Sequence, residues 1–360
     1  MMQRKKFIQS VSAGVLLSHP LSILANPVES WSNPGKILVN PGQIIKPRRL
    51  KKGSKVGLIS PGSFITPEEL DECAKNLEAL ELNPVYSDRI LLRDGYFAGP
   101  DEQRAADLNE MFERKDVDGI VCTRGGYGCS RILPLLNYEL IRNNPKVFIG
   151  YSDVTALLFG IFKKTGLVCL HGPVGTSTFN EFSINNFKYI VMYPQDKFVM
   201  FNPEIPEKID DELYSVNTIG SGKAKGKLIG GNLSVSLSLL GTPFDIDYDN
   251  KIVFFEDVGE EPYRIDRMLT QLIQAGKLQK AAGIALGVFD KCIPKPDESG
   301  IDNSFSLKEV LMDRLMDLNI PAVYGMSFGH IVNKFTLPFG IEAELDTLAH
   351  TITLLEPACT

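Results

Sequence analysis

Three apolar runs punctuate the first part of the chain: Lys55-Val56-Gly57-Leu58-Ile59-Ser60, Gly119-Ile120-Val121-Cys122 and Val147-Phe148-Ile149-Gly150. Each is short, does not alternate and ends in a turn, which is the pattern of a strand buried on both faces. Pro84-Val85-Tyr86 predicts a further short strand, and Leu167-Val168-Cys169-Leu170 leads into His171-Gly172-Pro173. Helical segments lie between the strands. Pro67 opens one that runs to about Leu80, with Glu68 and Glu69 in the first turn, where acidic side chains suit the helix dipole. The others are a polar helix from Asp101 to Glu113, one from Ser130 to Leu136, and an apolar one from Val154 to Phe162. Strands alternating with helices predict a parallel sheet covered on both faces, with ligands at the carboxyl ends of its strands.

The pattern breaks over residues 180–220, where Pro194, Pro203 and Pro206 and scattered charge predict an irregular link. Beyond it, Gly226 to Leu233 reads as a strand entering a glycine turn, followed by a helix from Ser234 to Leu240. Lys251-Ile252-Val253-Phe254-Phe255, Ile284 to Phe289 and Val323 to Met326 read as strands. The helix from Tyr263 carries Ile265, Met268, Leu269 and Leu272 at helical spacing, so that face is core. Ile341 to Asp346 and His350 to Leu354 alternate and predict a surface β-hairpin. The second part is therefore the β-richer one. The chain divides into an export signal at 1–25, an arm or spacer at 26–50, an N-terminal α/β domain at 51–185, a linker at 186–220 and a C-terminal β-rich domain at 221–360.

Composition changes this picture only at the chain start. Hydrophobic residues at 44% and charged residues at 23% are ordinary for a globular chain. A net charge of −6 without a basic stripe excludes a nucleic-acid partner. Arg4-Lys5-Lys6-Phe7-Ile8, then an apolar stretch from Val11 to Leu24, then Ala25-Asn26-Pro27, has the order of an export signal of twin-arginine-like type. It predicts an exported, periplasmic protein, or a cytoplasmic one if the signal is not used. The arm that follows contains Pro27, Pro34, Pro41 and Pro47 and little periodicity. Cys73, Cys122, Cys129, Cys169, Cys292 and Cys359 fit no zinc spacing and no Cys-x-x-Cys pair.

Candidate chemistry gathers at strand ends. Gly150-Tyr151-Ser152-Asp153 joins a buried strand to an apolar helix. A serine on such a turn faces outward at a helix N-terminus, as at a nucleophile elbow, although Val154 stands where the usual elbow has a second glycine. Ser152 or Asp153 capping the helix is the plainer account. Arg124-Gly125-Gly126-Tyr127-Gly128-Cys129 follows the second buried strand; it has neither dinucleotide nor P-loop spacing. It reads as a tight turn or as a cradle of backbone N–H groups beside Ser152. His19 leaves with the signal and His350 belongs to the hairpin, so His171 and His330 are the candidate bases. Glu256 closes an apolar strand and could orient a histidine, cap a helix or pair with Arg264 or Arg267. No H-e-x-x-H pattern and no dense cluster of metal-ligating residues is present.

Six segments carry a specific resemblance: Arg124 to Cys129, Gly150 to Asp153, His171-Gly172-Pro173, Leu228-Ile229-Gly230-Gly231-Asn232-Leu233, Glu256-Asp257-Val258-Gly259-Glu260 and Phe328-Gly329-His330. In this order they resemble the LD-carboxypeptidases, the muramoyltetrapeptide carboxypeptidase family, over residues 52–355. The resemblance implies a flavodoxin-like N-terminal domain, a smaller β-rich α/β C-terminal domain, a site between them and a homodimer. It implies a catalytic triad of Ser152, Glu256 and His330 that removes the terminal D-alanine from peptidoglycan tetrapeptide stems, with no metal or organic cofactor. The backbone N–H groups of Gly125, Gly126 and Asp153 would form the oxyanion hole, and Arg124 would meet the substrate carboxylate. Two departures stand out: the export-like start, and Ile331-Val332-Asn333 after the histidine. Two rival readings remain. One is a peptidase of the same fold acting on peptidyl-nucleotide antibiotics such as microcin C, disfavoured because the sole tryptophan, Trp31, lies in the arm. The other is a non-enzymatic exported protein that binds a ligand in its cleft.

Overall fold

The strands with unbroken apolar runs are the ones buried on both faces. The computed structural model describes residues 43–204, 212–295 and 304–360; the segment expected to be an export signal, and most of the expected arm, lie outside the described residues. The first part supplies β1 (Lys55–Ile59), β2 (Asn83–Val85), β3 (Gly119–Cys122), β4 (Val147–Gly150) and β5 (Leu170–His171). Every residue of β3 and β4 is buried. The five strands are parallel, in the order β2-β1-β3-β4-β5. That is the flavodoxin-like order, and its switch point falls between β1 and β3.

The rest of the chain supplies β6 (Phe198–Phe201), β7 (Asn217–Gly220), β8 (Lys223–Asn232), β9 (Lys251–Glu256), β10 (Gly283–Val288), β11 (Ala322–Gly329), β12 (Leu337–Pro338), β13 (Glu342–Asp346) and β14 (Thr351–Leu354). Eight of these form a second sheet in the order β6-β14-β13-β8-β9-β10-β11-β7. Its centre, β8 to β11, is parallel, and its flanks are antiparallel. β13 and β14 are the expected hairpin, with alternating burial along β13. β12 leaves this sheet and pairs antiparallel with β5, Leu337 opposite His171. Residues 330–336 therefore cross from the end of β11 to the edge of the first sheet.

Helix boundaries follow local chemistry. Thr66 and Glu69 form a capping box ahead of Pro67–Ala79, with Pro67 in the first turn. Pro262–Gln274 buries Ile265, Met268, Leu269 and Leu272, the face read from their spacing. Four expectations need correction. The helix placed at Ser130 to Leu136 is α-helical only over Cys129–Ile132 and continues as a 3-10 turn, Leu133–Leu135, because Pro134 has no N–H to donate. Residues 186–220 are not an irregular link. They hold the end of a helix, Glu181–Val191, capped by Asn180, and both β6 and β7. With β6 and β7 the second sheet has eight strands against six in the first. The end of the arm also packs: Ile45 bridges to Leu167, Leu50 is fully buried, and Pro47 O accepts the Thr360 N–H. Lastly, His350 sits not in a strand but in the turn before β14, at φ 52°.

Candidate active site

One residue, Tyr151, separates β4 from Ser152, which opens a 3-10 turn, Ser152–Val154, that continues as the helix Thr155–Thr165. Its φ is +62°, a conformation that non-glycine residues adopt at a cost of about 1 kcal/mol or more. Neither Ser152 nor Asp153 caps this helix. Asp153 Oδ2 instead accepts the Cys129 N–H at 2.8 Å, tying the Ser152 turn to the glycine loop. Burial raises the Asp153 carboxyl above its usual value. The missing elbow glycine is explained at the other side of the serine. A methyl group on Gly150 would lie 2.6 Å from Val154 Cγ1, so the small residue precedes the serine and the branched one packs on it.

The glycine loop lies against the serine. A methyl group on Gly125 would sit 2.9 Å from Ser152 Cβ and 3.1 Å from both Ser152 Oγ and Asp153 N. Gly125 O accepts the Ser63 N–H, and Ser63 Oγ accepts the Tyr127 N–H. The loops after β1 and β3 thus meet at the switch point of the sheet, beside Ser152. Arg104 holds them there. Its guanidinium is fully buried and donates to the carbonyls of Pro61, Gly99 and Gly128. Arg124 is partly exposed and pairs with Glu69 at 3.3 Å, while its charge is felt at Tyr151.

The second sheet brings a histidine and a carboxylate to the same place. Glu256 ends β9, is 0% exposed, and lies 2.7 Å from His330 Nδ1 through Oε2. Its other oxygen, Oε1, makes no hydrogen bond of ordinary geometry among the described residues, although the Asn232 side chain also favours the ionised form of Glu256. Burial pushes the Glu256 carboxyl up, but the charge and hydrogen bond of His330 outweigh it and hold it below the usual range. Burial likewise pushes His330 down, and Glu256 outweighs it upward. An ionised carboxylate only accepts, so Nδ1 carries the proton and Nε2 is free to act as a base. Glu256 caps no helix and does not pair with Arg264, whose partner is Glu260. The ring of Tyr151, the residue before Ser152, meets the His330 ring at 4.9 Å. Among the described residues, no hydrogen bond joins Ser152 Oγ to His330.

His171 is not placed to act as a base. It is 1% exposed, packed against Tyr151, Phe254 and Phe328, and burial lowers its pKa to about 4. Two residues of this region had no signal in the apolar pattern: Arg104, on a helix read as polar, and Lys334, in the loop after His330. All six cysteines are buried and unpaired.

A flavodoxin-like sheet, a second sheet with a parallel centre and antiparallel flanks, a turn serine against the glycine loop, and a histidine–glutamate pair packed on the tyrosine before that serine define the class. Family models for the N-terminal and C-terminal domains of the LD-carboxypeptidases match residues 56–172 and 225–345, so the chain belongs to that family of peptidases. The probable murein peptide carboxypeptidase of Bacillus subtilis is 38% identical over 312 residues, covering 86% of this chain and 94% of that protein. The microcin C7 self-immunity protein MccF of Escherichia coli is 31% identical over 287 residues, 73% of this chain and 81% of that one. MccF in complex with glutamyl sulfamoyl guanosine superposes with a TM-score of 0.78 at 26% identity, covering 88% of this chain and 99% of that one. The muramoyltetrapeptide carboxypeptidase from Oxalobacter formigenes does so at 0.70 and 29%, covering 84% and 98%.

Proposed function

We propose that this protein is a serine-type LD-carboxypeptidase that removes the terminal D-alanine from peptidoglycan tetrapeptide stems. The observation that carries the reading is the 4.9 Å contact between the His330 ring, paired with buried Glu256, and the ring of Tyr151, the residue next to Ser152, which is itself strained at positive φ against Gly125. In this reading His330 Nε2 takes the Ser152 proton as Oγ attacks the carbonyl of the penultimate residue. Glu256 stabilises the imidazolium. The N–H groups of Asp153 and of Gly125 and Gly126 receive the oxyanion, each worth about 3–4 kcal/mol in the transition state. The tetrahedral intermediate expels the D-alanine amine, which takes its proton from His330, and water then hydrolyses the acyl-enzyme. Arg124 would meet the free carboxylate of the terminal alanine.

The likeness to MccF supports a second reading, in which the same three residues cleave a peptidyl-nucleotide. The rings of Tyr96 and Tyr127, 5.7 Å apart and exposed beside the glycine loop, offer a base a surface to stack on. Incubation with a disaccharide-tetrapeptide, a free tetrapeptide and an aminoacyl sulfamoyl adenosine, followed by mass spectrometry, separates the two. We expect loss of one alanine from the first or second and no cleavage of the third; the reverse pattern moves the assignment to the peptidyl-nucleotide.

The cradle itself can be tested with one methyl group. Gly125→Ala is expected to push the loop off Ser152 and lower kcat for alanine release by about 10²-fold. KM should change much less, because the substrate's remote contacts are untouched. A variant with parental kcat would remove Gly125 from the site.

A further inference from the structure

We propose that Lys334 is a positioning residue of this site: its buried ammonium pins the loop that carries His330 against Tyr151 and counters the charge of Glu256. The inference rests on the reading of His330 as the base.

A lysine in a loop is ordinarily solvated, but Lys334 is 6% exposed. Its Nζ donates to Ile331 O, the carbonyl next to His330, and stands 5.4 Å over the ring of Tyr151. The same loop is tied from outside by Ser183, whose Oγ donates to Val332 O and accepts the Lys334 N–H. One carbonyl and one ring face poorly replace the water an ammonium gives up. Burial accordingly lowers the Lys334 pKa to about 8, with Glu256 acting in the opposite direction.

The charged and titratable groups packed here are Glu256 and Asp257 from the end of β9, His171 from β5, Tyr151 from the end of β4, and His330 and Lys334 from the crossing loop. With His330 neutral, the ionised Glu256 and Lys334 balance. Glu256 favours a proton on His330, and Lys334 opposes one. Lys334 thus keeps the histidine unprotonated, and able to accept the Ser152 proton, at a lower pH than Glu256 alone would allow.

The test is the protonation of His330, read without substrate by NMR titration of its imidazole in the full chain and assigned with His330→Asn. Lys334→Met removes the charge at similar length and is expected to raise the His330 midpoint by about one pH unit. The acid limb of kcat/KM should move up with it, while Lys334→Arg keeps both near the parental position. Unchanged midpoints in Lys334→Met, with any loss of activity, would reduce Lys334 to a structural prop and overturn the proposal. If the methionine variant does not fold, Lys334→Gln is titrated in its place; a His330 midpoint raised as for methionine supports the proposal, and an unchanged midpoint overturns it. Because the titration uses no substrate, a parent that releases no alanine defeats the carboxypeptidase reading and leaves this test standing.

Discussion

Ser152→Ala is expected to lower kcat for release of D-alanine by roughly 10³–10⁶-fold while moving the melting temperature by no more than a few degrees. The large activity loss follows because no other nucleophile is placed to replace it. Asp153, the neighbouring side chain, is committed to the Cys129 N–H. His330 bonds to Glu256, and the six cysteines are buried. The small stability effect follows from what the hydroxyl does in the fold. Among the described residues Ser152 Oγ makes no hydrogen bond, so its removal orphans no partner. Alanine and serine also carry the same Cβ, so the strain at φ +62° is unchanged. Activity is read by mass spectrometry of the released amino acid, and folding by thermal melting of the same preparation. A variant that keeps kcat within tenfold of the parent would end the assignment of Ser152 as nucleophile. If the residual rate survives at 10³–10⁴ times the uncatalysed reaction, the N–H cradle and substrate binding are its source.

The division between what the sequence showed and what it hid follows the reach of each signal. β3 and β4 were legible because strands buried on both faces must be apolar throughout, and Pro262–Gln274 because one helical stripe carries its whole core contact. Ser152, Gly125 and Glu256 were legible as chemistry because each lies at or just past the carboxyl end of a recognisable strand. Their assembly was not. The pairing of His330 with Glu256 depends on β11 lying two strands from β9, and on β12 crossing to β5, neither of which leaves a periodic trace. Residues 180–220 were misread because prolines and charge masked the helix Glu181–Val191, whose Phe187, Ile190 and Val191 are buried, and two strands, β6 and β7, whose partners β14 and β11 lie far along the chain. Arg104 and Lys334 were missed for one reason. A charged residue is read as solvated unless its partners are known, and here the partners are backbone carbonyls supplied by loops. His171 shows the converse: its motif is present, but its ring is enclosed by Tyr151 and two phenylalanines.

Glu256→Gln is expected to lower kcat by about 10³–10⁴-fold and to move the acid limb of kcat/KM to lower pH. Two consequences of one substitution are involved, and the pH profile separates them. The first is electrostatic. The Glu256 charge and hydrogen bond raise His330 above its ordinary value against the pull of burial, so a neutral glutamine lets that value fall. The base is then unprotonated at a lower pH, but the imidazolium formed during attack loses its stabilising charge, and kcat falls across the plateau. The second is tautomeric. The Oε1 position makes no hydrogen bond of ordinary geometry among the described residues. An amide must therefore place either its oxygen or its NH₂ toward His330 Nδ1 and turn the other group toward a position that lacks a well-formed hydrogen bond. If the NH₂ donates to Nδ1, the ring proton moves to Nε2 and the histidine cannot accept from Ser152. Glu256→Asp retains the charge but shortens the 2.7 Å reach to Nδ1, so it should keep the acid limb nearer its parental position and lose less of kcat. A glutamine variant within tenfold of parental kcat, or an acid limb that rises, would show that Glu256 does not act through His330. The opposite shifts expected for Glu256→Gln and Lys334→Met also make the pair decisive. Both remove one buried charge beside the same imidazole, so shifts in the same direction cannot arise from electrostatics.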